Sequence, residues 1–317
     1  MLPVASAPPH PSRPEVLLAQ PELIEVEGAP PVAPALSEAE AWWAANELVP
    51  TVVYWGIHAS CLLAFFVPFS WGLVALFAAS FWLRMFGITG GYHRYFAHKS
   101  YKTSRAFQFA LALLGASATQ KGPLWWAGHH RGHHKYADKP GDNHSPREGV
   151  YYAHQGWIFD RRWDATPIDR IRDFAAYPEL VFLNRYHITA PILLALLCYA
   201  IGGFPGLVWG FAIATTALWH STYCVNSICH IFGSRRFDTP DTSRNNWAMA
   251  LLTLGEGWHN NHHHYCASTR QGFYWWEIDI TYYALRALAA VGLVWDLREP
   301  PAHIVNAKRA PELKKAA

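Results

Sequence analysis

The 317-residue chain reads as an all-helical membrane protein: four spanning helices in two hairpins, topped by a helical cap on the cytoplasmic side. Three observations predict this. Half the chain, 51%, is hydrophobic and only 15% is charged, against the ~25% usual in soluble domains. Four apolar stretches approach the ~20 residues that a spanning helix needs. Finally, Lys and Arg are confined to one set of connections, which assigns a side to each of them.

Residues 1–37, rich in Pro, Ala and Glu without an apolar period, read as a disordered arm and show no signal-peptide pattern. A capping box at Ser37–Glu40 opens a helix that would present Trp42 and Trp43 to the membrane surface. Thr51–Ser70 and Trp71–Gly91 form the first hairpin, split by a Pro-Phe-Ser break. Arg84 lies in the second span, where snorkelling accounts for it. Ala106–Ala118 is too short to span and is expected inside the protein or at the interface. The second hairpin runs from Ile188 to about Tyr223 and breaks at Gly202–Gly206. A membrane domain over 38–296 and a flexible tail over 297–317 complete the division.

Neither hairpin turn carries Lys or Arg, whereas Gly91–His187 carries 14. Both turns therefore face outward, and both termini face the cytoplasm. The net charge of +3 is too weak to argue for nucleic acid. Five cysteines without a CxxC read as small buried thiols rather than disulfides.

Histidine is the anomaly, with 18 in the chain. His93 and His98 sit where the second span emerges, His130, His133 and His134 follow, and His259, His262 and His263 come after the fourth span. Even numbers of crossings separate these boxes, so all three meet on one face of the membrane. On a helix, positions i, i+3 and i+4 share a side, so each HxxHH presents three imidazoles in one direction. The His93–His98 spacing, about 140° on a regular helix, suits ligands that approach from a helix end. Imidazole suits iron, zinc, copper or nickel alike. His230, one turn from Asn226, becomes a ninth ligand in this company, with Asn226 as a water-holding amide. His129 and His264 break the pattern and are left out.

At these residues a family is recognisable. GYHRYFAHKSYK (Gly91–Lys102), HRGHHKYAD (His130–Asp138), VNSICH (Val225–His230) and GEGWHNNHH (Gly255–His263) closely resemble the stearoyl-CoA delta-9 desaturase family, from about Pro50 to Asp296. The resemblance implies two Fe2+ ions held by His93, His98, His130, His133, His134, His230, His259, His262 and His263, with Asn226 holding a water. It implies an O2-dependent enzyme that places a cis double bond, at delta-9, in a saturated acyl chain. Asp138, Asp142 or Glu256 would orient the imidazoles. Trp126, Thr222 and Tyr223 align near the family's bent acyl tunnel.

Lys121 would meet a CoA phosphate, although the segment before the second box departs from the animal acyl-CoA enzymes. The carrier, CoA or lipid, therefore stays open. GWHNNHH and Trp275-Trp276-Glu277 resemble the bacterial and cyanobacterial branches, which favours a bacterial inner membrane over the endoplasmic reticulum. With no fused heme-binding HPGG, electrons are expected from a separate ferredoxin, cytochrome b5 or reductase, docked on the basic cytoplasmic face. A histidine-box hydroxylase is the enzymatic alternative, and a membrane metal-binding or transport protein is the non-enzymatic one.

Overall fold

The structure is a computed structural model that describes residues 48–307. The arm over 1–37, the capping box and Trp42 and Trp43 lie outside the described residues. Helix α1 (Leu48–Ser60) tightens into a 3-10 turn over Cys61–Phe66, and the chain then breaks at the proline. Ser70 caps helix α2 (Trp71–Phe86) by accepting from Leu73 N at 3.2 Å. Helix α2 does not stop at Gly91. It runs on as a π-helix over Gly87–Ala97 and carries the first histidines with it.

Helix α3 (Arg105–Ala116) lies against that π-helix, where Leu111, Ala112 and Gly115 are buried. A Cβ at Gly87 would come within 2.8 Å of the Leu114 backbone, so glycine there sets the close approach. Helix α4 (Pro123–Tyr136), with Pro at its first position, carries the second box. The short helices α5 (Val150–His154) and α6 (Pro178–Arg185) cross the cap.

Two helical runs are long and apolar enough to cross a membrane, Trp71–Ala97 with 27 residues and Thr189–Ile231 with 43. The second run is not one rod. It comprises helix α7 (Thr189–Gly206), a π-helical turn over Leu207–Ile213 and helix α8 (Ala214–Ile231). Gly202 and Gly203 leave helical geometry, Gly203 with φ of 60°, and the chain folds back there. A Cβ at Gly206 would lie 2.3 Å from the Cys198 carbonyl, eight residues earlier, whereas a straight helix would hold the two roughly 12 Å apart.

Three details depart from the expectations. Arg84 does not snorkel: it is 1% exposed, donates to Ser80 O at 3.0 Å and reaches across to Thr215 Oγ1 at 2.7 Å. Burying a cation so deep is tolerable because those oxygens replace water. The all-helical reading omits a two-residue antiparallel ribbon, β1 (Lys102–Thr103) with β2 (Val294–Trp295). The tail assigned from 297 onward is pinned as far as the described residues go, because Arg298 N donates to Ser100 O and Thr269 N to Arg298 O, and a helical turn follows at Ala302–Val305. All five cysteines are free thiols.

Candidate metal centre

The boxes meet at the end of the bundle, on four elements. The π-helix brings in His93 and, as its C-cap, His98. Its i→i+5 pattern, with His98 N donating to His93 O at 3.1 Å, turns both rings the same way, to a centroid separation of 4.8 Å. The approach from a helix end expected of a regular helix is thus replaced by a local change of helix type. Helix α4 supplies three more histidines, α8 supplies His230, and the short helix α9 (His259–His264) supplies the rest.

The nine histidines divide five and four. His93, His98, His130, His134 and His262 form one cluster, and His133, His230, His259 and His263 the other, with ligand atoms within 4.8 Å of one another in each. Each HxxHH straddles the two clusters instead of serving one. Nε2 atoms lie 3.0 Å apart for His93–His262, His98–His130 and His262–His134, and 3.1 Å for His130–His134. In the second cluster the separations are 3.0 Å for His230–His259 and 3.4 Å for His133–His263. Nitrogens bound at ~2.1 Å to one cation sit about 3.0–3.4 Å apart, depending on the bond angle.

Protonation fits the same use. Burial, followed by the neighbouring imidazoles, holds His98, His130, His134, His259 and His262 well below the ordinary histidine range, so these rings are neutral with lone pairs free. Lone pairs that converge in this way repel one another unless a cation lies between them. The donor set therefore fits metal ions, two per chain, and imidazole donors by themselves leave their identity open.

The second ring nitrogens are oriented from behind. Glu256 Oε2 lies 2.5 Å from His93 Nδ1, and buried Arg94 holds that carboxylate at 3.1 Å. Asp142 Oδ1 lies 2.8 Å from His133 Nδ1. Asp138 accepts from Thr242 Oγ1 at 2.7 Å, and Thr242 in turn meets His230 Nδ1 at 3.1 Å. Burial opposes ionisation of Asp142, but His133, with His144 and the Asp138 amide, together outweigh it and hold the carboxyl below its usual range. The converse holds for His133, which Asp142 raises against burial.

The sequence reading missed several groups. Asp241 Oδ2 lies 3.0 Å from His263 Nδ1, from a position 22 residues away with no motif around it. The His144 ring lies tilted with its centroid 4.2 Å from that of His133, and Gln271 holds Glu256 at 2.9 Å. His129 and His264 fall outside both clusters: His129 Nε2 meets Ala165 O at 3.1 Å, and His264 stacks on Phe237.

A cleft touches both clusters through His93, His130, His133 and His259. Met85 and Ile88 line it from the apolar side, and Trp126, Thr222, Tyr223 and Asn226 also face it. A residue the sequence reading did not single out, Gln120, clamps this wall by donating to Thr222 Oγ1 at 2.9 Å and accepting from Trp126 Nε1 at 3.1 Å. Lys121 does not line the cleft. Its ammonium pairs with Asp164 at 3.0 Å and lies over the Trp125 ring.

Residues 68–297 match the family model for fatty acid desaturases. The chain is 40% identical over 249 residues to sn-2 palmitoyl-lipid 9-desaturase of Nostoc sp. (strain 36), covering 76% of this chain and 87% of that one. It is 37% identical over 254 residues to sn-1 stearoyl-lipid 9-desaturase of Anabaena variabilis, covering 79% and 93%. Acyl-CoA 5-desaturase AL21 of Anemone leveillei is 38% identical over 269 residues, covering 81% of each chain.

Proposed function

The chain belongs to the fatty acid desaturase family and is an oxidoreductase of that kind, and we propose that it introduces a cis double bond at delta-9 of a saturated acyl chain, with one iron in each histidine cluster. The observation that carries this is the cleft shared by both clusters: an apolar chain entering it past Met85 and Ile88 lies directly against the nitrogens of each. The two relatives named as 9-desaturases support the position, while the 5-desaturase marks the competing outcome.

Iron supports the chemistry better than zinc does. Structural zinc is almost always four-coordinate, and the first cluster offers five imidazoles. Bound iron would supply the O2-derived oxidant that removes hydrogen from an unactivated methylene. The protein's own residues do the rest. Trp126, Gln120 and Thr222 form a hydrogen-bonded wall that holds the chain in place, and Asn226 faces the cleft where it can hold a water. Buried Arg94, Glu256 and His93 form a rigid line that fixes the first box against that wall.

The two chain reversals, at Val67–Ser70 and at Gly202–Gly203, support a reading with four membrane crossings and the histidine face cytoplasmic. The host membrane is then a bacterial inner membrane, the substrate an acyl-lipid or acyl-CoA, and the electron donor a separate ferredoxin, cytochrome b5 or reductase. Expression in a desaturase-deficient host, with double bonds located by mass spectrometry, tests the reading. New delta-9 cis bonds are expected. Hydroxylated chains without new double bonds, or bonds at delta-5 or delta-7, would overturn the chemistry or the position respectively.

A further inference from the structure

Polar side chains along the wall and the apolar end of the cleft are matched by neighbours. Gln120, Thr222 and Trp126 bond one another, and Thr89, beside Met85 and Ile88, meets Thr281 Oγ1 at 2.7 Å. The cap end differs. Asn143 and His144, from the loop between α4 and α5, and Trp157, from the turn after α5, line the cleft there. Each residue is more than nine-tenths buried. Yet Asn143 Oδ1, His144 Nδ1 and Trp157 Nε1 have no hydrogen-bond partner among the described residues.

Buried polar atoms are nearly always paired, and leaving an N–H unpaired is costly. Packing does not call for this one. Trp157 stacks on Trp125 with centroids 5.9 Å apart and planes 9° apart, a contact that a phenyl ring would also make. The chemistry of the atoms says what would match them. An indole N–H only donates, and either nitrogen of a neutral imidazole can donate as well, so Trp157 and His144 together suit one acceptor oxygen. Asn143 Oδ1 accepts, from a water or from an N–H or O–H of the ligand. Among the described residues that line the cleft there is no Lys or Arg, so the acceptor is neutral and not a carboxylate or a phosphate.

An acyl chain joined to a carrier bears one neutral acceptor of this kind, the carbonyl of its ester or thioester. We infer that the cap end of the cleft holds this carbonyl, with Trp157 Nε1 donating to its oxygen, so that the enzyme takes carrier-bound chains and counts carbons from the carbonyl. The methyl half of the chain then lies along Met85 and Ile88. The scale agrees. The His144 ring is 4.2 Å from that of His133, a member of the cluster of four, and 5.5 Å from that of Trp157. Eight C–C bonds of an extended chain, from C1 to C9, span about 10 Å, the reach of those two steps. The inference rests on the desaturase reading and deepens it.

Paired probes separate a carbonyl site from a merely structural tryptophan. Stearoyl-CoA and its S-octadecyl thioether, and a stearoyl glycerolipid and its O-octadecyl ether, differ at the carbonyl alone. In the purified full-length enzyme with an electron donor, whichever pair is used should show kcat/KM roughly tenfold higher for the member with the carbonyl, the scale of one hydrogen bond. Trp157→Phe should keep two irons, lose that preference by slowing the carbonyl member alone, and spread the double bond to neighbouring positions. Equal use of both members by the wild type would overturn the inference, and so would a Trp157→Phe enzyme that keeps the preference or slows both members alike. Should the variant fail to accumulate, the wild-type ratio decides. A wild-type enzyme that makes no double bond in any probe sinks the desaturase reading instead.

Discussion

The two histidine clusters share helices, yet they are supported differently. In the cluster of four, His133 rests on Asp142, His263 on Asp241, and His230 on Thr242 backed by Asp138. In the cluster of five, Glu256 behind His93 is the carboxylate seen among the described residues. One site thus gains a ligand where the other gains anionic support. Both solutions suit a divalent cation, the cluster of five by the number of neutral donors and the cluster of four by making fewer imidazoles more basic. The two positions are therefore inequivalent before any substrate binds.

The largest effects should come from the ligands themselves. His262→Ala and His133→Ala are each expected to abolish double-bond formation, with metal analysis showing loss from the five-histidine and four-histidine sites respectively. Normal unsaturation in either variant would refute that ligand assignment. Asp241→Asn should be milder and confined to one site. Loss of an orienting carboxylate costs about 10–100-fold in metal affinity or activity, and titration of added iron should show only one of the two sites weakened. Glu256→Gln should weaken the other site. Equal weakening of both sites by either variant would break the comparison.

Gln120→Leu removes the clamp on Trp126 and Thr222 without touching a ligand. Iron content should stay at two, while the product mixture broadens from one double-bond position to several. A single unchanged position would show that this wall does not register the chain. The smallest effect concerns His129, adjacent to a box and a member of neither cluster. Burial lowers its pKa to about 4. The unfolded chain binds that proton near ~6.5, so between about 6.5 and 4 the unfolded state carries more protons and stability falls as pH falls, by about 3 kcal/mol in total. His129→Gln should keep both irons and flatten the loss of melting temperature between pH 7 and pH 5. An unchanged slope would show that another group sets it.

Much of this centre was legible from spacing. Three boxes on one side of a membrane demanded a common site, and four quoted segments carried the family. The division of each HxxHH was legible in principle. Residues i and i+4 differ by about 40° on a helix while i+3 and i+4 differ by about 100°, so His130 and His134 pair and His133 turns away. The π-helix was not legible, because nothing in GITGGYHRYFA distinguishes an i→i+5 from an i→i+4 ladder before α3 packs on Gly87. Asp241 was hidden for another reason: its partner is set by tertiary folding, and a lone Asp in a loop carries no pattern. Arg84 was misjudged because snorkelling assumes a lipid-facing side chain, whereas Thr215 offered an oxygen inside the bundle.

The proposed chemistry requires two inequivalent metal positions in one chain. Quantifying metal in the purified full-length protein, wild type beside Asp241→Asn at limiting iron, tests this most directly. Two irons per chain are expected in the wild type and one in the variant, retained by the five-histidine cluster. A wild-type enzyme that desaturates with a single iron, or with zinc in either site, would contradict it.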